Sequence, residues 1–199
     1  MHITISDINN VSSADIEKWL NEASSEKQEE ISRIKVESKR NERIVADHLK
    51  RTAIADYCNV APECIEFGVT EKGKPFAMNL PVHFNISHSN GLVVCAVSDN
   101  EIGIDIEKIR TVNPRTAKKF ACPDELEYIG THKNGFFEIW TLKEAYFKCI
   151  GSGLGSDIKN VCFKINENGI ICSAEGYKFS FVDIKDGYIC SICTKIPAR

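Results

Sequence analysis

Residues 102–107, Ile-Gly-Ile-Asp-Ile-Glu, alternate strictly between isoleucine and a smaller or charged residue. In a β-strand this alternation places the three isoleucines on one face and Gly103, Asp105 and Glu107 on the other. The isoleucine face requires a hydrophobic core. The opposite face carries two carboxylates, whose repulsion must be compensated by a cation, a basic partner or open water. Two interpretations follow: the solvated outer face of an antiparallel sheet, or part of a Mg²⁺ site.

Turn signals before this strand divide residues 84–107 into three short apolar runs. Asn90-Gly91 is typical of a two-residue hairpin because both residues tolerate positive φ angles, and Asp99-Asn100 marks a second tight connection. The region therefore predicts three successive strands. Near the end of the chain Gly187 precedes a similar apolar run, and both runs follow helical segments. This likeness suggests an internal duplication with its join near residues 108–113.

Composition narrows the classes of function to consider. With 199 residues, 43% of them hydrophobic, the chain can bury a core as one large domain or two small ones. A net charge of −3 argues against non-specific nucleic-acid binding, which usually needs a basic protein. The first residues lack a secretory pattern, and no apolar run approaches the ~20 residues of a membrane span. We therefore expect a cytoplasmic protein with no nucleic-acid or membrane partner.

The nine cysteines are expected to be reduced thiols. Their number is odd and they are scattered through apolar segments, which indicates mostly buried thiols in the absence of a secretory signal. Cys190 and Cys193 have C-x-x-C spacing, but they lie in a predicted strand, where residues three apart face opposite sides. We therefore assign this pair a structural role.

Two predicted helices carry further charged groups. A helix over about residues 39–57 presents basic side chains that form either a solvated face or a phosphate clamp, namely Lys39, Arg40, Arg43, Lys50 and Arg51. A second helix, over about residues 135–150, places Glu144 and Lys148 on one face because they are four residues apart. A surface ion pair would account for these two charges but not for the aromatic residues around them.

Several motifs follow one another along the chain: Gly73-Lys-Pro75, Phe84-Asn-Ile-Ser-His-Ser89, Gly103-Ile-Asp-Ile-Glu107 and Trp140-Thr-Leu-Lys-Glu-Ala-Tyr-Phe-Lys148, the last followed by Gly151-Ser-Gly-Leu154. In this order and spacing the chain resembles the 4′-phosphopantetheinyl transferases of the surfactin-synthetase-activating (Sfp) type over nearly its whole length. The resemblance implies an α+β fold, a pseudo-dimer of two similar α/β subdomains, each a three-stranded antiparallel sheet packed with helices. It places the subdomains at residues 1–110 and 111–199, with the coenzyme in the cleft between them.

The resemblance also implies the reaction. Such an enzyme transfers the 4′-phosphopantetheine moiety of coenzyme A to a serine of an acyl, peptidyl or polyketide carrier protein and releases 3′,5′-ADP, with Mg²⁺ as cofactor. The nucleophile then belongs to the carrier. A monomer acting in fatty-acid, polyketide or nonribosomal-peptide synthesis is implied, and the sequence does not select the pathway.

The predicted metal ligands are Asp105, Glu107 and Glu144, the first two from one half and the third from the other. A diphosphate and three carboxylates carry too much negative charge for one site without a cation, which supports this assignment. Lys148 matches the family's lysine near the phosphates. As the general base the resemblance leaves three candidates: Glu144, a metal-bound water, and Glu125, which matches a family glutamate near the site. The predicted catalytic residues are therefore Glu144, Lys148 and Glu125.

The predicted coenzyme contacts come from four segments. By resemblance Ser87 and His88 contact the phosphate and adenosine end, with His88 at the 3′-phosphate, and Lys74 and Pro75 form the adenine-side loop. The resemblance makes Lys27 and either Arg40 or Arg43 further partners of the 3′-phosphate and places Lys148 near the phosphates. Glu30 stands where the family often has a second lysine. The carrier is expected to dock on residues 151–181, with Lys159 among its contacts.

Two other functions use the same residues. A metal-dependent phosphodiesterase or nuclease would need a basic groove, which the net charge disfavours. A catalytically silent coenzyme A binding protein would have lost a metal ligand or Lys148, and all of these are present. The transferase is therefore the preferred prediction.

Overall fold

The computed structural model describes residues 1–153 and 155–197. In this part of the chain five α-helices form, at α1 Ser13–Glu22, α2 Ser25–Ser32, α3 Glu37–Cys58, α4 Pro123–Thr131 and α5 Gly135–Ile150. The strands are β1 His2–Asp7, β2 Phe67–Val69, β3 Pro75–Ala77, β4 His83–Ser89, β5 Leu92–Ser98, β6 Ile102–Lys108, β7 Phe163–Asn166, β8 Gly169–Cys172, β9 Tyr177–Phe181 and β10 Tyr188–Lys195. None of the helices within these bounds has the length and apolar character that a membrane span requires.

Two three-stranded antiparallel sheets dominate the fold, in the orders β1-β5-β4 and β6-β10-β9, and β2-β3 and β7-β8 form separate hairpins. The predicted α+β class with two such sheets is confirmed. The three strands predicted over residues 84–107 form as β4, β5 and β6, but β6 leaves its neighbours and pairs with β10. The reason is that β5 already has β4 on one edge and β1 on the other, so β6 must find a new partner.

Each sheet packs against one long helix, and the two sheets share a third core. Helix α3 covers β1, β4 and β5, and α5 covers β6 and β10. Between the sheets, the isoleucine face of β6 packs on one face of β5, with the buried residues Leu92, Val94, Ala96, Ile102, Ile104, Ile106, Cys190 and Ile192. This core confirms the apolar role of the three isoleucines and leaves the opposite face of β6, with its carboxylates, turned toward α5.

The helix ends follow local capping rules. Ser12 caps α1 by accepting the N–H of Asp15 at 3.1 Å. Ser25 with Gln28 three residues later is typical of a capping box and predicts Ser25 as the cap of α2. The cap is instead Ser24, which accepts the N–H of Lys27 at 3.3 Å. Adjacent serines offer the same chemistry, so the pattern located the helix start only to within one residue.

A ladder of side chains joins the two sheets between β4 and β6, which run side by side. The oxygen atoms of Asn85, Ser87 and Ser89 accept the backbone N–H groups of residues 104, 106 and 108 at 2.9, 3.4 and 3.1 Å. These three residues alternate along β4 and therefore share one face. We call them the β4 ladder. It satisfies the edge of β6 that has no backbone partner and fixes the two sheets in register.

Candidate active site

The β4 ladder also orients the two carboxylates of β6. Ser87 Oγ donates a hydrogen bond to Asp105 Oδ1 at 2.8 Å, and Ser89 Oγ donates to Glu107 Oε2 at 3.1 Å. Arg110 Nη1 donates to the same Glu107 oxygen at 2.7 Å. Each serine thus accepts a backbone N–H of β6 and donates its own proton to the neighbouring carboxylate. The carboxylates are consequently held by a rigid strand edge.

Gly103 allows α5 to lie directly on this face of β6. A Cβ atom at this position would lie 2.0 Å from the carbonyl oxygen of Ala145 and 2.4 Å from the nitrogen of Cys149. Any larger residue would therefore push the helix away. The close approach brings Glu144 and Lys148, which share a helix face, over the carboxylates of β6.

Asp105 is the most buried of the three predicted ligands, with 5% of its surface exposed. Its Oδ1 accepts hydrogen bonds from Lys148 Nζ at 2.5 Å and from Ser87 Oγ. Its Oδ2 is buried and has no hydrogen-bond partner among the described residues. Burial raises the pKa of this carboxyl, and Lys148 and Ser87 oppose that shift. An unpartnered buried carboxylate oxygen is costly unless a further cation or donor reaches it.

The negative charges of this face act on Glu144. Burial, followed by the charge of Asp105, raises the pKa of Glu144 to about 7, with a further contribution from Glu107, while Lys148 opposes the shift. Like charges in one cleft raise a carboxyl pKa in this way. Glu144 therefore lies near enough to both other predicted ligands to be affected by their charges, and this mutual repulsion together with the unpartnered Asp105 oxygen fits a divalent cation.

The oxygens of the three carboxylates do not lie as close together as the ligand atoms of another group in the structure. Within residues 1–153 and 155–197, the group with ligand atoms all within 4.8 Å of one another is Cys122, Glu125 and Cys162. Lys148 Nζ contacts Oδ1 of Asp105, the oxygen that also accepts from Ser87. The assignment of Asp105, Glu107 and Glu144 to a metal stays a prediction.

Glu125 lies in a different environment from the one predicted for a base. It is fully buried, and its oxygens accept the backbone N–H groups of Cys122 and Phe163, each at 2.8 Å. The ammonium of Lys143, also fully buried, lies 2.9 Å from Oε2. Glu125 thus forms a structural ion pair that ties α4 to α5 and β7, and we assign it no proton transfer.

His88 points to the opposite face of β4, toward α3, where it meets a group of charges. Glu42 is 3% exposed and accepts hydrogen bonds from Lys39 Nζ at 2.7 Å and from the N–H of Gly91 at 3.1 Å. Its Oε2 lies 3.3 Å from His88 Nδ1. Burial lowers the pKa of His88 against the charge of Glu42, and the positive charges of Lys39 and Arg43 lower it further. Glu42 was not predicted, because its role depends on the distant His88.

The structure separates the two arginines that the sequence left as alternatives. Arg43 Nη2 lies 2.9 Å from Glu30, whose other oxygen lies 2.5 Å from Lys27 Nζ. Arg43 therefore joins Lys27 to the His88 group. Arg40 instead lines a cleft of about 820 Å³ between α1, α2 and α3, with Ile16, Leu20, Gln28, Glu37 and Ile44 among its other walls.

The loop around Lys74 and Pro75 lies beside the carboxylates. It lines a cavity of about 200 Å³ together with residues of β4, of α5 and of the segment that follows α5, namely Asn85, Glu144, Phe147, Lys148, Gly151 and Gly153. The ammonium of Lys74 donates to the carbonyl oxygens of Cys149 at 2.7 Å and Ile102 at 3.3 Å. Burial lowers the pKa of this lysine. Lys74 thus fastens the loop to the C-terminus of α5, next to the predicted coenzyme path.

Comparison with known proteins identifies the family. Residues 10–100 match a family model described as "4'-phosphopantetheinyl transferase, N-terminal", and residues 101–193 match the "4'-phosphopantetheinyl transferase superfamily". A 4'-phosphopantetheinyl transferase of Bacillus subtilis is 31% identical over 94% of this chain and 88% of its own length. The 4'-phosphopantetheinyl transferase Sfp of Bacillus subtilis strain 168 is 28% identical over 91% of this chain and 86% of its own. A holo-[acyl-carrier-protein] synthase structure from Thermotoga maritima aligns with 49% of this chain and 64% of its own, at 21% identity and a TM-score of 0.43.

These matches define the chain as a transferase enzyme. It belongs to the Sfp-type 4′-phosphopantetheinyl transferase superfamily, as its ordered motifs predict. The two family models meet between residues 100 and 101, in the turn that joins β5 to β6. That turn is where the chain passes from one three-stranded sheet to the other.

Proposed function

We propose that this enzyme transfers 4′-phosphopantetheine from coenzyme A to a serine hydroxyl of a carrier protein, with Mg²⁺, and releases 3′,5′-ADP. The observation that carries the proposal is the buried Asp105 carboxylate, which contacts Lys148 and Ser87 and whose charge, with that of Glu107, acts on Glu144. Family membership supports coenzyme A and a carrier as the substrates, since its relatives are named for this transfer.

In this proposal Asp105, Glu107 and Glu144 hold the ion. When bound, Mg²⁺ would supply positive charge to the diphosphate and to the transition state. Lys148 supplies a further positive charge at the same place, and its 3.0 Å contact with Ser87 Oγ keeps it over β6. A fixed ammonium of this kind stabilises developing negative charge without having to reorganise during the reaction.

The carrier serine must lose a proton as it attacks. Of the two glutamates that the sequence offered as bases, Glu144 is half-buried in the cleft, whereas both oxygens of Glu125 are taken up by a buried ion pair and two backbone N–H groups. A general base must lie within reach of the proton that it accepts. We therefore assign proton acceptance to Glu144 or to a metal-bound water, the two candidates that remain.

The 3′-phosphate of the coenzyme is assigned to the group around His88. Lys39 and Arg43 lie close enough to His88 to affect its pKa, and Arg43 connects to Lys27 through Glu30. The proposal therefore selects Arg43 over Arg40. Arg43→Ala is expected to raise the KM for coenzyme A several-fold, as loss of one charged hydrogen bond would, and to leave the KM for dephospho-coenzyme A unchanged. Arg40→Ala is the matched control that leaves both constants unchanged.

The remaining assignments concern the whole chain. We propose a cytoplasmic monomer with halves at residues 1–110 and 111–199, and a carrier that docks on residues 151–181. Leu154 of this segment lies outside the described residues. Lys159 is exposed, in keeping with a contact to an acidic carrier helix.

Intact-mass spectrometry tests the reaction directly. Apo carrier proteins of the fatty-acid, polyketide and peptide types are mixed with the enzyme, coenzyme A and Mg²⁺, beside the Asp105→Ala variant. We expect a gain of one phosphopantetheine on a carrier with the wild type and its loss with the variant. No gain on any carrier would contradict the transfer, and a gain that survives Asp105→Ala would contradict the metal site alone.

A further inference from the structure

Cys122 and Cys162 form a pair of thiols that the proposed reaction does not use. Cys122 is the residue before α4, and Cys162 is the residue before β7. Their sulfur atoms and a carboxylate oxygen of Glu125 all lie within 4.8 Å of one another. Both cysteines are free and half-buried, so small molecules can reach them.

A buried carboxylate holds the two thiols together. Glu125 accepts the N–H of Cys122 and the N–H of Phe163, the residue after Cys162, each at 2.8 Å. Lys143 anchors this carboxylate from α5, where it also donates to the carbonyl oxygen of Ile158 at 3.0 Å. One fully buried ion pair therefore fixes the backbone at both cysteines. The two thiols are held close together by this packing and do not depend on chance encounters of mobile loops.

The surroundings favour thiol chemistry over metal binding. The oxygens of Glu125 already receive three donors, from two backbone N–H groups and from Lys143. The buried ammonium of Lys143 would also repel a cation at this place. Two thiols then remain as ligands, whereas a structural zinc ion takes four.

A second pair of thiols in the chain provides an internal comparison. The thiols of Cys149 of α5 and Cys193 of β10 lie close enough together to affect each other's pKa. These two residues are 1% and 0% exposed, and they lie in the core beneath α5. An oxidant in solution cannot reach Cys149 and Cys193 unless the core opens. In both pairs the two thiols lie close together, but only Cys122 and Cys162 are accessible to solvent.

We propose that Cys122 and Cys162 are a redox-sensitive pair. They become joined by an intramolecular disulfide when the protein reacts with a small disulfide such as oxidised glutathione. The Cys122 sulfur attacks the glutathione disulfide as a thiolate and releases one glutathione thiol. The Cys162 sulfur loses its proton and displaces the second glutathione thiol. Two protein thiols are oxidised and one small disulfide is reduced to two thiols.

The order of these steps follows from the surroundings of Cys162. Burial, followed by the neighbouring Cys122 thiol, raises the pKa of Cys162 to about 12. Cys162 therefore stays protonated near neutral pH, and the first attack falls to Cys122. The completed bond would tie the start of α4 to the start of β7 and stabilise the fold by constraining the unfolded chain.

Mass spectrometry of the full-length reduced protein tests the pair. The protein is exposed to graded oxidised glutathione, its free thiols are blocked, and it is cleaved after lysine and arginine. Cys122 then lies in the peptide of residues 120–133 and Cys162 in that of residues 160–164, each with one cysteine. We expect these two peptides to become linked first, while Cys149 and Cys193 stay reduced. The melting temperature of the oxidised protein should rise by about 5 to 10 °C.

Two variants make the test specific. Cys122→Ser keeps a good helix cap, and Cys162→Ser leaves Cys122 in place. Each should fold, remain unlinked and show no rise in melting temperature on oxidation. The proposal is overturned if other cysteines oxidise before this pair, if the linked peptides never appear, or if the reduced protein retains a zinc ion that these variants lose.

Discussion

At the scale of single residues, Glu144 shows how the cleft controls ionisation. Its pKa is raised to about 7 from an ordinary value of 4.5, so the native protein holds this proton more tightly than the unfolded chain does. The free energy of unfolding must therefore fall as pH rises from about 4.5 to about 7. The metal-free enzyme should thus be least stable where the working enzyme would bind its ion.

Glu144→Gln tests this relation because glutamine cannot ionise. In the presence of EDTA we expect the variant to match the wild type near pH 4 and to exceed its stability near pH 8 by about 1 to 2 kcal/mol. This figure is smaller than the full pKa shift implies, because the side chain remains partly solvated. Urea unfolding at several pH values measures the difference. A constant offset between the two proteins at every pH would contradict the assignment of the repulsion to Glu144.

The sequence predicts residues of the candidate site but not the partners that hold them. Asp105, Glu107 and Glu144 are predicted from alternation, helical spacing and the family motifs, which are local patterns. Ser89 and Glu42 were missed, since their importance comes from contacts with Glu107 and His88 that no local pattern records. For Glu125 the sequence suggested a catalytic role that the contacts do not support. The family match gave no indication that Lys143 would form a buried ion pair with it.

At the scale of elements, the contact between α5 and β6 depends on the absence of a side chain at Gly103. Gly103→Ala would place a carbon atom 2.0 Å from a backbone oxygen of α5, and the backbone of a helix cannot move aside without cost. We expect a loss of at least about 2 kcal/mol, comparable to overpacking a tight core. Transferase activity should be lost as well, because Glu144 and Lys148 move with the helix.

Gly130→Ala is the matched control for this substitution. Gly130 lies in α4, and a Cβ atom there would meet nothing within 4 Å. Alanine favours the helix by up to about 1 kcal/mol over glycine, so this variant should be equally or more stable. Thermal unfolding of the two variants and the wild type measures whether only the substitution at Gly103 lowers stability. Equal melting temperatures for both would show that the close approach of α5 is not required.

A substitution at Ser89 tests the role of the β4 ladder. Ser89→Ala removes the donor to Glu107 and leaves the N–H of residue 108 without its acceptor. We expect a loss of about 1 kcal/mol in stability and a several-fold higher Mg²⁺ concentration for half-maximal activity. Ser89→Thr should restore both, because it returns the hydroxyl.

Ser32→Ala is the control for a serine whose hydroxyl bonds only within its own exposed helix. It should leave both quantities unchanged. If Ser89→Ala alters stability but not the Mg²⁺ requirement, the ladder joins the sheets without positioning Glu107.

The pairing of β6 could not be predicted from the pattern of its residues. Alternation correctly located β6 and its two faces, and the turn signals located its start. It did not indicate that β6 pairs with β10, which lies about 80 residues later. Pairing between distant strands is decided by which edges remain free in the assembled sheet, and that information is not local.

At the scale of the whole molecule, the cleft combines groups from both halves of the chain. The shared core between the sheets and the hydrogen bond from Lys74 to α5 both cross from one half to the other. A coenzyme held by His88 in one half and Glu144 and Lys148 in the other would add a further connection. Its binding should therefore stabilise the molecule as a unit.

Thermal unfolding with coenzyme A and Mg²⁺ tests this connection. A ligand at 100 times its Kd that binds only the folded state adds about 2.7 kcal/mol, which for a chain of this size is about 5 to 10 °C. We expect one unfolding transition and a rise of this order when both are present. In EDTA the rise should be much smaller, since the diphosphate then meets unscreened carboxylates. Asp105→Ala should show the smaller rise in either condition, while Cys122→Ser should respond as the wild type does. An equal rise in EDTA and Mg²⁺ would mean that the coenzyme binds without the carboxylate site, and the metal assignment would then fail.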